Sequence, residues 1–297
     1  MKTIGILSPG DMGSAVGRVL GDHGFDVLTC LRSRSDRTKQ LAGDAGILDV
    51  ETLEELVTEA ELVLSILVPA DAVEIARKIA AAIDATDADV TFSDCNAISP
   101  QSSEIMESIV TGAGGRYIDG SIIGGPPGRG TPPRFYVSGV HSGIMSELDG
   151  KGIEVRNIGD TVGRASGIKM CYAAMTKGTS ALHLALLSAA EAMGLSDELA
   201  NELSESQPEV LRRMQDQLPG LPSKSYRWIG EMQEIAETFD HSGVTPAFHQ
   251  GAAEIFRLLS ETPLARETPE NIDRSRTLSE TISALVAVRP AWAEPSD

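Results

Sequence analysis

The stretch "ILSPGDMGSAVG", residues 6–17, follows directly on Met1 to Gly5, and its reading decides the first half of the chain. Within it, Ser8-Pro9-Gly10-Asp11-Met12-Gly13 overlays the G-x-G-x-x-G pattern of a dinucleotide-binding turn, with Ser8 in place of the first glycine. The pattern asks for a tight turn at its first position and close approach of backbone to a pyrophosphate at its second. The third position calls for close packing of helix on strand. Gly10 and Gly13 suit the last two roles, while Ser8 leaves the motif equally open to a purely structural turn. The surroundings favour binding. A strand-like run, Thr3 to Ser8, precedes the motif, a helix from Met12 to His23 closed by Gly24 follows, and a second strand runs from Asp26 to Leu31. That helix would present unpaired backbone N–H groups and the positive end of its dipole to a phosphate.

The end of the second strand adds a further clue. About twenty residues beyond the glycines, a unit for NAD carries Asp or Glu against the ribose 2′-hydroxyl. This chain reads "CLRSRSDR", with Arg32, Ser33, Arg34, Ser35 and Arg37. Guanidinium forks bind phosphate bidentately, so the cluster suits a 2′-phosphate and points to NADP(H) over NAD(H). Arg32 and Ser33 are the expected first contacts, with Arg34 beside them; the alternative is a solvated loop of surface ion pairs. The patch is the densest basic one in a chain with 25 Lys and Arg against 43 Asp and Glu, a net charge of −18. That balance argues against general affinity for nucleic acid or anionic membrane, so an anionic ligand needs a local basic pocket.

Strand and helix patterns alternate on to about Gly159, with further strands at Leu62–Val68, Val90–Asp94 and Arg116–Ile123, which means a mostly parallel sheet. Apolar runs at Phe135–Val137 and Glu154–Ile158 extend it. Between them, Ala72 to Ile83 has helical spacing with Asp71 and Glu74 placed like a capping box, and Ser99-Pro100 reads as an N-cap followed by Pro at the first helical position. After Gly163 the pattern is helical: Ala165 to Met193 closed by Gly194, then 196–216, 224–240, 245–260 and 270–287. The division expected is a Rossmann-type domain over 1–162, an all-helical domain over 163–288, and a tail over 289–297. With 41% hydrophobic but only 4% aromatic residues, the core is aliphatic, as helices on a parallel sheet require. Cys30, Cys95 and Cys171 have no disulfide or zinc spacing, there is no leader pattern, and no apolar run approaches eighteen residues. The expectation is a cytoplasmic protein without a membrane span.

The order of motifs resembles the β-hydroxyacid dehydrogenase superfamily, which includes 3-hydroxyisobutyrate, tartronate semialdehyde and 6-phosphogluconate dehydrogenases and, as a divergent branch, imine reductases. "DGSIIGGPPGRG" from Asp119 resembles the family's substrate-binding turn, with Gly124 and Gly125 matching and Ile123 in place of its serine. "GRASGIKMCYAA" resembles the start of the interdomain helix that carries the catalytic lysine. Lys169 falls on that lysine, and Ala173 replaces the family's asparagine. "KSYRWIGEMQEIAETF" and "SGVTPAFHQGAAEIF" resemble the C-terminal domain of a branch labelled as phosphogluconate dehydrogenases, whose interdomain helix also reads like "KMCYAAMTKGT".

The resemblance implies an NADP-dependent oxidoreductase acting on a small hydroxy acid or polyol-derived alcohol, working as a homodimer. Lys169 would exchange the hydroxyl proton as hydride passes to or from the nicotinamide, its pKa lowered by desolvation in an interdomain cleft. Tyr172 and Thr176, three and seven residues on, share its helix face and would orient it or hold substrate. Asn96, at the end of a strand, is read as a ribose or substrate contact or as an ordinary turn residue, and Val68 and Pro69 occupy the matching edge of the previous strand. Trp228 and Glu231 are expected at the substrate, although Arg227 and Glu231 at i, i+4 also suit a structural pair. Lys177 is read as a solvated charge and His249 as a satisfied structural histidine. The five histidines lack metal-ligand spacing, so no metal is expected. Two alternatives stay open: an imine reductase acting on C=N, and a non-catalytic NADP(H)-binding sensor.

Overall fold

The computed structural model describes residues 1–128, 130–268 and 271–288. The chain divides into two compact units, Met1–Cys171 and Tyr172–Asp297.

The first unit is built on one sheet: β1 (Thr3–Leu7), β2 (Asp26–Thr29), β3 (Leu48–Asp49), β4 (Leu62–Ser65), β5 (Thr91–Asp94), β6 (Arg116–Ile123), β7 (Arg134–Ser138) and β8 (Glu154–Asn157). Their spatial order is β3-β2-β1-β4-β5-β6-β7-β8. Neighbours are parallel from β3 through to β6; β7 runs antiparallel to β6, and β8 parallel to β7. Connecting helices are α1 (Asp11–Asp22), α2 (Asp36–Asp44), α3 (Leu53–Glu59), α4 (Ala72–Thr86) and α5 (Pro100–Gly112). Strand side chains alternate between two buried clusters: in β4, Leu62 and Leu64 join Ile4, Ile6 and Phe135, whereas Val63 joins Leu56, Ile79 and Phe92. Burial on both faces explains why these strands read as continuous apolar runs.

Local chemistry fixes most element ends. Ser99 accepts from Ser102 N ahead of Pro100, as expected. The capping box at Asp71 and Glu74 does not form. Asp71 lies in a 3-10 turn, Pro69–Asp71, with near-helical backbone angles, so its side chain makes no capping bond, and Glu74 pairs with Arg77 and Lys78 instead. Strand β3 was not anticipated; its two residues, Leu48 and Asp49, are both exposed and carry no apolar pattern.

The second unit is helical. α6 (Arg164–Met193) begins in the first unit and ends at Gly194, whose positive φ of 70° is the left-handed stop. Then come α7 (Ser196–Ser206), α8 (Pro208–Gln217), α9 (Pro222–His241), α10 (Ala247–Glu261) and α11 (Leu278–Val286). The run expected as one helix over 196–216 breaks at Gln207, because Pro208 cannot extend a helix and restricts the residue before it. Of the helix expected over 270–287, Glu270 lies outside the described residues, and the helix begins at Leu278 behind a capping box of Thr277 and Glu280. The segment before it is anchored by Arg276, which pairs with Glu267 and donates to Pro219 O. The tail expected over 289–297 also lies outside the described residues. Among them, no helix is long and apolar enough to cross a membrane.

Candidate active site

The carboxyl ends of β1, β2, β4 and β5 open along one edge of the sheet. At the end of β1, Ser8 takes φ 57°, the left-handed turn that the first glycine of the pattern would supply, and Gly10 N donates to Ser8 O at 2.7 Å. A Cβ built on Gly13 would lie 3.3 Å from Ser8 O and 3.4 Å from Ile6 Cγ2, so this glycine permits helix α1 to sit on strand β1. A Cβ on Gly10 would meet nothing nearer than Ser8 O at 4.0 Å, and its φ of −74° suits any residue. Nothing among the described residues therefore calls for glycine at position 10, and bare backbone there fits the close approach of an external group. No side chain caps α1, in contrast to α2, α3 and α5, which Ser35, Thr52 and Ser99 cap. The cradle fits a dinucleotide phosphate. Asp11 is exposed with its carboxylate 2.7 Å from Arg37 Nη2, and Met12 packs against the core, so both offer the site backbone rather than side chain.

After β2 the chain turns sharply. Arg34 N donates to Leu31 O at 3.0 Å, Ser33 is left-handed at φ 63°, and Leu31 N is held by Asp49 Oδ1 at 2.7 Å. Arg32 and Ser33 are exposed and Arg34 half-buried on the rim of a cavity of about 530 Å³ that also includes Cys30, Ile75 and Lys78.

Val68 and Pro69 lie half-buried beyond β4. Asn96 holds them there: Leu67 N donates to its Oδ1 at 2.6 Å, while its Nδ2 donates to Ser65 Oγ at 2.9 Å and to Asp94 Oδ1. At 4% exposure, with its amide committed on both sides, Asn96 positions the loop. Its partner Asp94 is fully buried and its carboxyl is pushed up to about 7, first by desolvation and further by Asp119 beside it. Asp94 and Asp119 are register partners on β5 and β6.

The junction of β6 with α6 was only partly legible. Asp119, fully buried, accepts from Gly163 N (2.8 Å), Ala165 N (2.9 Å), Ser166 N (3.2 Å), Ser138 Oγ (2.8 Å) and Ser166 Oγ. It caps α6 from the neighbouring strand. Ser121 Oγ donates to Ala165 O at 2.8 Å, and Lys169 Nζ donates to Ile122 O at 2.6 Å. The structure thus brings Lys169 to the strand end that leads into Gly124 and Gly125. The signal for Asp119 was an acid inside an otherwise apolar run, "YIDGSII". Ile123 is buried at 4%, so its side chain belongs to the core and only its backbone faces the turn. Gly124 takes φ 131°, and a Cβ on Gly125 would meet nothing within 4 Å among the described residues.

In the helical unit, Tyr172 and Thr176 are exposed on α6. Lys177 is not the solvated charge expected. Its Nζ lies 2.6 Å from Glu231 Oε2, with both side chains under 15% exposed, and 5.4 Å from the Trp228 ring centre. Glu231 thus pairs across to α6 rather than with Arg227 on its own helix. Trp228 meets Phe256 edge-on at 5.1 Å. His249 is buried between Phe239 and Phe248, and desolvation lowers its pKa. Its Nδ1 has no hydrogen-bond partner among the described residues, contrary to the satisfied histidine expected.

Residues 3–145 match the family model for the NAD binding domain of 6-phosphogluconate dehydrogenase, and residues 190–259 match DUF1932, a domain of unknown function. An uncharacterised 28.5 kDa protein of Methanothermus fervidus is 28% identical over 204 residues, covering 69% of this chain and 77% of that one. Among solved structures, Mycobacterium tuberculosis 3-hydroxyisobutyrate dehydrogenase with L-serine aligns at TM-score 0.67 and 17% identity, covering 96% of this chain and 99% of that one. An imine reductase from Bacillus cereus aligns at TM-score 0.55 and 20% identity over 86% and 92% of the two chains. Those two likenesses are of fold. The matches thus give residues 3–145 an NAD-binding domain similar to that of 6-phosphogluconate dehydrogenase, and residues 190–259 of the helical unit a DUF1932 domain.

Proposed function

We propose that the chain is an NADP(H)-dependent oxidoreductase that transfers hydride between the nicotinamide and a small hydroxy acid or polyol-derived alcohol. The observation that carries the reading is the 2.6 Å bond from Lys169 Nζ to Ile122 O, which sets an amine beside the Gly124–Gly125 turn. The backbone of Ser8 to Gly13 would hold the pyrophosphate, Arg32, Ser33 and Arg34 the 2′-phosphate, and the Val68–Pro69 loop the ribose. Bound nicotinamide supplies the hydride acceptor or donor. The protein's own part is to orient and to move a proton. Gly124 and Gly125 offer backbone N–H groups to the substrate, and Lys169 Nζ takes the hydroxyl proton on oxidation and returns it on reduction. Tyr172, Thr176, Trp228 and Glu231 are assigned to substrate contact in the helical unit. Exposed Met175, Leu182 and Tyr226 support association of that unit into a homodimer, which sedimentation tests.

A second reading, reduction of a C=N bond, is favoured by one observation. Buried Ile123 and buried Ala173 leave no polar side chain at the two positions where hydroxyacid dehydrogenases carry Ser and Asn.

The test is calorimetric titration with NADPH and NADH. Arg32→Ala is expected to weaken NADPH by roughly ten- to a hundredfold and leave NADH little changed, because a charge-assisted bond is lost. Lys169→Ala should keep NADPH binding and lower turnover of hydroxy acids by about 10²–10⁴-fold. No binding of either nucleotide ends the reading. Binding without turnover of any hydroxy acid or imine makes the chain a sensor.

A further inference from the structure

Arg32 stands between two concavities, and an adenosine carrying a 2′-phosphate has to enter one of them. The first, of about 530 Å³, is lined by Arg32, Ser33, Arg34, Ile75, Lys78 and the acid Glu54, among others. The second, of about 460 Å³, shares Arg32 and Ser33 but sets Lys39 among the carboxylates of Asp49 and Glu51. Asp49 is fixed in place by the bond from Leu31 N. Three cations and one acid therefore face the first cavity, against two cations and two acids in the second. In a chain of net charge −18, that local excess decides where a dianion goes.

The apolar lining agrees. Ile75, Lys78 and Ala81 form the i, i+3, i+6 row of α4 that faces the first cavity, so an apolar surface for a base lies one turn from an ammonium group. Lys78 is held at 3.6 Å by Glu74, an exposed pair of small worth that a phosphate can displace. Arg32 and Arg34 have no side-chain hydrogen bond or ion pair among the described residues.

We propose that Lys78 of α4 is a specificity-determining residue that reads the 2′-phosphate together with Arg32 and Arg34, with the adenine lying over Ile75. The proposal rests on the NADP(H) reading of the β2 loop and names a residue that no motif indicated. On it, Lys39 takes no part.

The experiment is calorimetry on the full chain and on Lys78→Ala, Lys78→Arg and Lys39→Ala. The probes are NADPH, NADH, adenosine 2′,5′-bisphosphate and adenosine 5′-monophosphate. Lys78→Ala is expected to weaken NADPH and the bisphosphate by about five- to twentyfold, one exposed charge-assisted contact, without affecting NADH or the monophosphate. Lys78→Arg should restore affinity, and Lys39→Ala should change nothing. An equal loss for NADH, silence at Lys78, or a larger loss at Lys39 overturns the proposal. If Arg32→Ala still weakens NADPH and not NADH in that case, the cofactor reading stands alone. If the unaltered chain does not distinguish the two nucleotides, the cofactor reading fails and Lys78 falls with it.

Discussion

Two places on the carboxyl edge of the sheet handle charge in opposite ways. At the end of β2, Arg32 and Arg34 stand at the rim of a cavity with no partner among the described residues. Four strands away, the Asp119 carboxyl of β6 is fully buried and takes bonds from Gly163, Ala165, Ser166 and Ser138. A buried polar group left unpaired costs about 1–3 kcal/mol or more, so the interior saturates Asp119. An exposed guanidinium stays in water at little cost and keeps its donors for a ligand. The contrast separates groups whose donors and acceptors the fold uses up from groups it leaves open to solvent.

The largest test breaks the saturated side. Asp119→Asn places an amide donor against a ring of donors and should destabilise the first unit by roughly 2–4 kcal/mol, read from urea unfolding. A loss no greater than that of an exposed Asp→Asn change would mean that Asp119 does not clamp α6.

Its neighbour Asp94 gives the next effect. Its folded pKa, about 7, lies above the ordinary 3.8, so the folded chain keeps a proton there that the unfolded chain has released. That contribution to stability is present at low pH and is lost as pH rises from about 4 to about 7. Asp94→Asn does not titrate. Its stability relative to the unaltered protein should therefore improve by roughly 2–4 kcal/mol across that window. A flat difference between the two would show that the carboxyl is already ionised at pH 4.

The smallest test is on the open side. Gly10→Ala adds a methyl that nothing among the described residues opposes, so stability should fall by no more than about 1 kcal/mol, the scale of an N-cap change. Nucleotide affinity should fall about tenfold, because the methyl stands where the phosphate approaches. Gly13→Ala sharpens the contrast, since its methyl presses on Ser8 O at 3.3 Å and should cost stability as well.

Much of this was legible in the sequence, and the reasons differ by residue. Alternation of apolar runs with helical periods marked the sheet strands except β3, whose two exposed residues carry no pattern. Arg32, Ser33 and Lys169 stood out as candidates because each lies within a local motif. Asn96 was read as turn or ribose contact because a sequence cannot show that Leu67, Ser65 and Asp94 would claim its amide. Lys177 looked solvated because Glu231 and Trp228 lie more than fifty residues away along the chain.

By itself the sequence determined the alternation of strands and helices, the glycine-bearing turn after β1 and the basic loop, all of which depend on neighbours within a few residues. Only tertiary structure decided that Asp119 caps α6, that Ile122 O holds Lys169 and that Lys78 shares a cavity with Arg32. Local spacing fixes backbone conformation and which face is apolar. Partners that arrive from distant strands and helices are set by how the elements pack, and packing is where buried polar groups find their bonds.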